Sequence, residues 1–437
     1  MAGETSERHR GGNVTATDLE LTAELGRLLV KPEAWADMDA WHALVRQARR
    51  QAPVWPIEVE GFAPFLAVLA YRTVQSISRD NRTWLNTSRS VLQPEAEYQA
   101  MLQAGIPEPR TLVHLDGEEH HLHRQVTAEW FKPQTVNARQ PRIDAICQQF
   151  IQKMADLGDT CDFAQDIAQP FTLRVIMDIY GVPESDEPLM LQLTQGLFGA
   201  GDPEYMLDPT DPHASLVASV TTFIEYFQAL TEDRRRNPRD DLASVIANGC
   251  PGGKPMGEAE RLWYYIIVAT AGHDTTSFAM SGGLHQMLRQ PEVLPAIAQN
   301  PDLATTAAEE AIRLTSPVRH FLRYAATDTE VEGIPVRAGE RVLLSYPSAN
   351  RDETVFADPD RMDLERPNAD RHLAFGIGAH FCLGAQFARR ELRTMYARLA
   401  QELESIEPAG PVEWAQSNFV SGPKHLPVQY RFRPGRP

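Results

Sequence analysis

Cysteine is scarce in this chain. The 437 residues hold four, Cys147, Cys161, Cys250 and Cys382, scattered without a pairing pattern or a CxxC motif. That spacing excludes a disulfide framework and predicts a reduced, cytoplasmic protein, in which the Asn-x-Ser/Thr triplets at Asn13, Asn81 and Asn86 are coincidental. Long hydrophobic runs are missing too. The most apolar stretches, "FAPFLAVLA" (62–70) and "WYYIIVATAG" (263–272), fall short of the roughly 20 residues a membrane span needs. The polar start, "MAGETSERHRGGN", has no apolar core of a signal peptide. Positive charge is in deficit: 42 Lys and Arg face 59 Asp and Glu, a net charge of −17, which argues against a nucleic-acid partner. No internal repeat or low-complexity linker occurs.

What is present is ordinary globular composition, 43% hydrophobic and 23% charged. Residues 1–20 read as a flexible leader and 21–437 as one domain. "VWPIEVEGFAPFLAVLAYR" (54–72) reads as a hairpin broken at Gly61. From Thr73 to Gln290 the pattern is mostly helical. Ile143, Ile146, Cys147, Phe150, Ile151 and Met154 share one helical face, and 221–236 ends in basic residues suited to a helix C-terminus. Strand-like pieces return at 324–346, and a last hairpin is expected at 418–432. The fold class is therefore mainly α, a helical body with a small β part gathered from both ends of the sequence.

Three stretches ask for chemistry. The first is "WYYIIVATAGHDTTSFAMSGGLHQML" (263–288), apolar on nearly all sides and so expected to be buried. Its middle holds Gly272, His273, Asp274, Thr275 and Thr276. Glycine is a poor helix former, Thr and Asp compete for backbone hydrogen bonds, and a buried Asp resists desolvation. A groove at Gly272 and a local helix distortion are expected, unless the run is an exposed helix end. The second is "EEAIRLTSPVRHFLRYA" (309–325), where Glu310 and Arg313 share a helical face. Taken alone, such a pair is usually a weak surface contact. The third is "LAFGIGAHFCLG" (373–384). Phe375, Gly376, Gly378 and Gly384 predict a tight turn, and Cys382 sits just before a helix, where free N–H groups favour a thiolate. That thiolate could be a nucleophile, a zinc ligand with His372 and His380, the single ligand of a haem iron, or a buried small hydrophobe.

Together the three stretches resemble the cytochrome P450 family of haem-thiolate monooxygenases. The family's Phe-x-x-Gly-x-x-x-Cys-x-Gly signature stands at Phe375, Gly378, Cys382 and Gly384, its Glu-x-x-Arg pair at Glu310 and Arg313, and its acid–alcohol motif at Ala271 to Thr276. The order and spacing are the family's. "DEPLMLQLTQGLFG" (186–199), "AGHDTTS" (271–277), "LLSYPSANRDE" (343–353) and "NFVSGPKHLPV" (418–428) are most similar to its bacterial, terpineol-hydroxylating members.

The resemblance implies haem b with Cys382 as its axial ligand, and Phe375, Gly376, Gly384 and Ala271 against the group. It implies His120, Arg124, Arg323 and His380 on the haem carboxylates. The early segment "LDGEEHHLHRQ" departs from relatives that carry two prolines after the Asp. His120 is preferred because it lies four residues before Arg124, with His121 as the alternative. Asp274 and Thr275 would deliver protons and hold dioxygen, while Glu310, Arg313 and Arg366 would be structural. Ile267, Thr270, Ala271, Val318, Phe321, Phe419 and Val420 would line a pocket for a small hydrophobic substrate, a terpenoid or alkylaromatic, under a lid from 89–105. Electrons would come from NAD(P)H through a reductase and a ferredoxin docked near Arg389, Arg390 and Lys132. A monomer is expected, with no membrane or nucleic-acid partner. Alternatives are a polycyclic or steroid-like substrate, a peroxygenase, and a haem carrier without turnover. The intact Asp274–Thr275 pair argues against the last two.

Overall fold

A computed structural model of the chain describes residues 16–86, 89–103, 108–198, 202–205 and 212–435. One long helix, Glu258–Arg289, runs through the body, and 19 of its residues are buried. It packs most extensively against the helices Leu303–Thr315 and Gln169–Tyr180. The small residues of this helix explain how that packing is reached. A Cβ on Gly283 would collide with the Tyr396 hydroxyl and Ala311, and one on Gly282 with Thr315. These glycines weaken the helix as an isolated element but let neighbouring helices approach closely.

The expected helix distortion at 271–276 is absent: the assignment is α throughout Glu258–Arg289. The hydroxyls that could have competed with the ladder bond back onto it. Thr270, Thr275 and Thr276 donate to the carbonyls of Ile266, Ala271 and Gly272 at 2.6, 2.9 and 3.2 Å. Nor does Gly272 open a groove. A Cβ there would press on Ile176 at 3.0 Å, so the glycine admits a neighbouring helix. The motif also lies mid-helix, which removes the helix-end alternative.

The main sheet has five strands in the order Val54–Ile57, Phe65–Val68, Arg341–Ser345, His320–Ala325, Trp84–Leu85. Its first two strands form the expected hairpin, Val54 opposite Val68. The central strand, "RVLLS", is buried along its whole length, as a strand covered on both faces must be. The turn signal at 332–333 closes the hairpin Thr329–Val331 and Ile334–Val336, with Glu332 and Gly333 both at positive φ (51° and 77°).

Two boundaries differ from the sequence reading. Residues 16–20, expected within the leader, belong to the helix Ala16–Val30, and 1–15 lie outside the described residues. The hairpin expected at 418–432 does not form. Pro423–His425 pairs with Glu413–Trp414, whereas Pro427–Phe432 pairs with Leu403–Pro408 and Thr160–Asp162. A turn signal separates two strands but does not say which partner each finds. No described helix is long and apolar enough to cross a membrane.

Candidate active site

The loop before the helix Ala385–Glu402 is a tight backbone structure. Gly376 (φ 66°) and Gly378 (φ 83°) adopt left-handed conformations that other residues avoid, and a Cβ on Gly378 would lie 2.6 Å from the Ser78 carbonyl. The Cys382 N–H donates to the Phe375 carbonyl at 2.8 Å and closes the loop. Phe375 is held by Arg389, whose guanidinium lies 4.7 Å from the ring centre.

Cys382 is exposed at its surface. Its thiol is nevertheless surrounded by protein: burial pushes its pKa up, against opposing hydrogen bonds from the Gly384 and Ala385 amides and the charges of Arg124 and Arg389. A residue with open surface whose thiol is still desolvated is uncovered on one side only. Gly384 opens on free space, with nothing within 4 Å of a Cβ built on it. On the central helix, Ala271 is exposed and Thr275 partly so, although the surrounding residues are buried. These two stand one turn apart on one face.

A second group gathers the expected carboxylate-binding residues. The His120 and His380 rings stack with centres 4.1 Å apart. His120 is buried, whereas His121 points outward and accepts from the Gln125 amide, so the structure places His120 in the cluster. Burial, with His380 and Arg124 nearby, holds the His120 pKa down to about 4. Arg124 reaches the Phe381 carbonyl at 2.6 Å, and Arg323 is buried, donating to the Leu322 carbonyl at 2.8 Å. Two residues not singled out by sequence complete the group. The Asn86 side-chain amide contacts His380 Nε2, and its backbone N–H donates to Asp116 at 2.9 Å.

This donor set fits a haem: one uncovered thiol, small residues that leave room for a flat group, and cations and histidines for two carboxylates. The zinc alternative fails. His372 faces Glu309 at 3.1 Å, His380 stacks on His120, and no group of three metal-ligating side chains occurs among the described residues. His380 is likewise engaged by Asn86 and lies 3.7 Å from Asp116, so it is not a free base for a nucleophilic cysteine.

Asp274 points away from the open helix face. It is buried, and burial raises its pKa to about 7. The His273 ring, its pKa lowered to about 3 by burial, stands with Nε2 3.2 Å from Asp274 Oδ1. A carboxyl poised near neutrality is suited to giving and taking protons.

Other expectations divide. Glu310 and Arg313 are fully buried and bidentate (2.6 and 2.9 Å), with Arg366 adding a 3.0 Å bond to Glu310. Arg313 also donates to the carbonyls of Asn350 and Pro359, tying this helix to the segment that leads to the cysteine loop. Among pocket residues, Val318 bridges to Val420, and Phe321 and Phe419 meet edge to face at 5.5 Å. Ile267 and Ala271 have open surface, but Thr270 has none: its hydroxyl turns onto its own helix and the residue is enclosed. Of the expected lid, Glu95–Gln103 is a helix with no buried residue, and 104–105 lie outside the described residues. Arg389 is not a free docking cation. It binds Glu309 at 2.6 and 3.1 Å. Burial would raise the Glu309 pKa, but hydrogen bonds from His372 and Arg389 outweigh it and hold the carboxyl at about 2. Arg390 contacts the Asn137 side chain, and Lys132 pairs with Glu129 at 2.5 Å.

The comparisons with known proteins agree with this geometry. Residues 86–427 match the family model "Cytochrome P450". Cytochrome P450-terp of Pseudomonas sp is 35% identical over 417 residues, covering 93% of this chain and 97% of that protein. A steroid C26-monooxygenase of Mycolicibacterium smegmatis is 34% identical, covering 75% of this chain and 80% of the relative. The crystal structure of CYP108D1 from Novosphingobium aromaticivorans superposes with a TM-score of 0.87 at 36% identity, covering 94% of this chain and 99% of that one. The chain belongs to the cytochrome P450 family and is a monooxygenase of that family that binds haem b.

Proposed function

We propose that the protein inserts one oxygen atom of O2 into a C–H bond of a small terpenoid or alkylaromatic substrate, with Cys382 as the thiolate ligand and Asp274–Thr275 as the proton-delivering pair. The haem supplies the redox chemistry at oxygen. This chain's residues do the rest. Cys382 donates electron density through its sulfur, supported by the amides of Gly384 and Ala385. His120, His380, Arg124 and Arg323 hold the carboxylates. Thr275 presents its hydroxyl on the open helix face, and Asp274, near neutral pKa, resupplies protons behind it.

The observation that carries the reading is the helix face itself. Ala271 and Thr275 are uncovered in the middle of a buried helix, next to a carboxyl whose pKa burial has brought to about 7. A haem carrier has no need of that arrangement, and a peroxygenase receives its protons with its oxidant.

The apolar character of Ile267, Val318, Phe321 and Phe419, the residues proposed to line the pocket, supports recognition by shape. Likeness to P450-terp, and to the linalool 8-monooxygenase of Pseudomonas putida at 28% identity over 89% of this chain, favours a monoterpenoid. A steroid-like substrate is the second reading, favoured by the steroid C26-monooxygenase relative. Ferredoxin is the proposed electron donor.

The test is Thr275→Ala in the reconstituted system, with a substrate chosen by its low- to high-spin shift among monoterpene alcohols, alkylbenzenes and sterols. NADH consumption should persist while product falls at least tenfold and hydrogen peroxide accumulates. Full product yield would remove Thr275 from the delivery of protons. Tight spin-shift binding by sterols alone would select the second substrate.

A further inference from the structure

Asp274, as the proposed proton source, itself needs a supply of protons. Its Oδ2 has no hydrogen-bond partner among the described residues. The Tyr205 hydroxyl, in a residue 9% exposed, has none either. Both residues line one small cavity, together with Asp202, Phe278 and Val420, with about 10 Å³ of room for the centre of a water molecule. That is roughly the space one water requires, and a water there would find polar partners on two sides.

Beyond the cavity a connected polar chain leads outward. Asp202 is 1% exposed and accepts from Lys424 Nζ at 3.0 Å. Lys424 also meets Glu204 at 2.8 Å, and Glu204 meets His425 Nε2 at 2.8 Å. The other ring nitrogen of His425 lies 2.6 Å from Asp162. The Glu204 and His425 side chains are 40% and 28% exposed, so this end reaches solvent. Burial would lower the pKa values of Lys424 and His425, but hydrogen bonds to their carboxylate neighbours outweigh it and raise both. The charged or titratable groups facing Asp274 are His273 on its own helix and Tyr205 and Asp202 across the cavity.

We propose that Tyr205 passes protons from the surface cluster of Asp162, His425, Glu204, Lys424 and Asp202 to Asp274, through a water held between the Tyr205 hydroxyl and Asp274 Oδ2. The proposal rests on the reading of Asp274 as the proton source for turnover. Each step moves one proton inward. The water gives a proton to Asp274 as it takes one from Tyr205. Tyr205 is refilled from Asp202 through the cavity that both line, and Asp202 takes its proton from Lys424, which regains one from Glu204, itself refilled from His425 and solvent. No electron moves along this chain. Tyr205 stays neutral before and after each transfer, since burial keeps its own pKa well above the ordinary phenol value.

Infrared difference spectra of the ferric holoenzyme at pH 6, in H2O and D2O, test it apart from turnover. The Asp274 carboxyl band is the one that Asp274→Asn removes. Tyr205→Phe should shift that band to higher frequency and slow its H/D exchange several-fold. Product per NADH should fall several-fold in the same variant, with the substrate-induced spin shift unchanged. A second variant at the surface, Glu204→Gln with His425→Gln, lies away from the cavity and covers a misfolded Tyr205→Phe. It should leave the band in place and slow exchange at least threefold. Wild-type band position and exchange in Tyr205→Phe, or wild-type exchange in the surface variant, overturns the path. Uncoupled turnover in Asp274→Asn alongside that result leaves the Asp274–Thr275 reading standing. Full coupling in Asp274→Asn removes that reading instead.

Discussion

Asp274 shows most clearly what a single residue contributes here. Its carboxyl is buried, and burial lifts its pKa from the ordinary 3.8 to about 7. The consequence for stability has a definite sign. Below about pH 4 the group is neutral in both the folded and unfolded chain and has no net effect. Between about 4 and 7 the unfolded chain ionises while the folded one holds its proton, so stability falls as pH rises, and above 7 the loss is complete. Asp274→Asn removes this dependence. In denaturant titrations its stability relative to the wild type should grow by a few kcal/mol, in order of magnitude, from pH 4 to pH 8. Equal stability differences at both pH values would mean that the carboxyl is solvated. The sequence announced this residue as costly in a buried helix, and it is. It could not announce the direction in which the side chain points, because that depends on which neighbours close over each face. The same holds for Thr270, expected in the pocket but enclosed.

At the scale of elements, the glycines of the central helix divide by what they meet. A Cβ on Gly283 would overlap the Tyr396 hydroxyl and the Ala311 methyl, the latter rigid on its own helix. A Cβ on Gly272 meets only the flexible Ile176 side chain, at 3.0 Å. Gly283→Ala should therefore cost about 1–3 kcal/mol as overpacking, and Gly272→Ala clearly less, offset in part by better helix propensity. Unfolding midpoints give the order, and a Gly272→Ala loss equal to that of Gly283→Ala would contradict the packing assigned here. Amphipathic periodicity made the helix at 140–156, and the part from 221 onward of the helix at 212–236, legible from sequence, and turn residues did so for the hairpin at 54–68. The C-terminal strands were placed correctly as strands but not as partners. Pairing with Leu403–Pro408 and Thr160–Asp162 is settled by long-range packing, which local alternation does not record.

At the scale of the whole molecule, the cysteine loop is braced from behind. Arg389 stacks on Phe375 and binds Glu309, and Glu309 binds His372. Arg389 thus belongs to the brace and Lys132 pairs with Glu129, whereas Arg390 meets the neutral Asn137 side chain and is the docking cation to test. With ferredoxin as donor, Arg390→Glu should lower turnover several-fold at low salt, with an unchanged rate when a small chemical reductant replaces the ferredoxin. An unchanged ferredoxin-supported rate would place the docking face elsewhere. The three motifs were legible because each carries an unusual local chemistry. Asn86, Asp116 and Tyr205 were not, since their roles exist only once distant segments meet.

Haem binding and oxygen chemistry both depend on the Cys382 sulfur. The most direct test is the spectrum of the reduced carbon monoxide complex of the holoenzyme, compared with that of Cys382→Ser. The wild type should give a thiolate-type spectrum, and the variant should lose it completely. A thiolate-type spectrum that survives in Cys382→Ser would show that Cys382 is not the ligand.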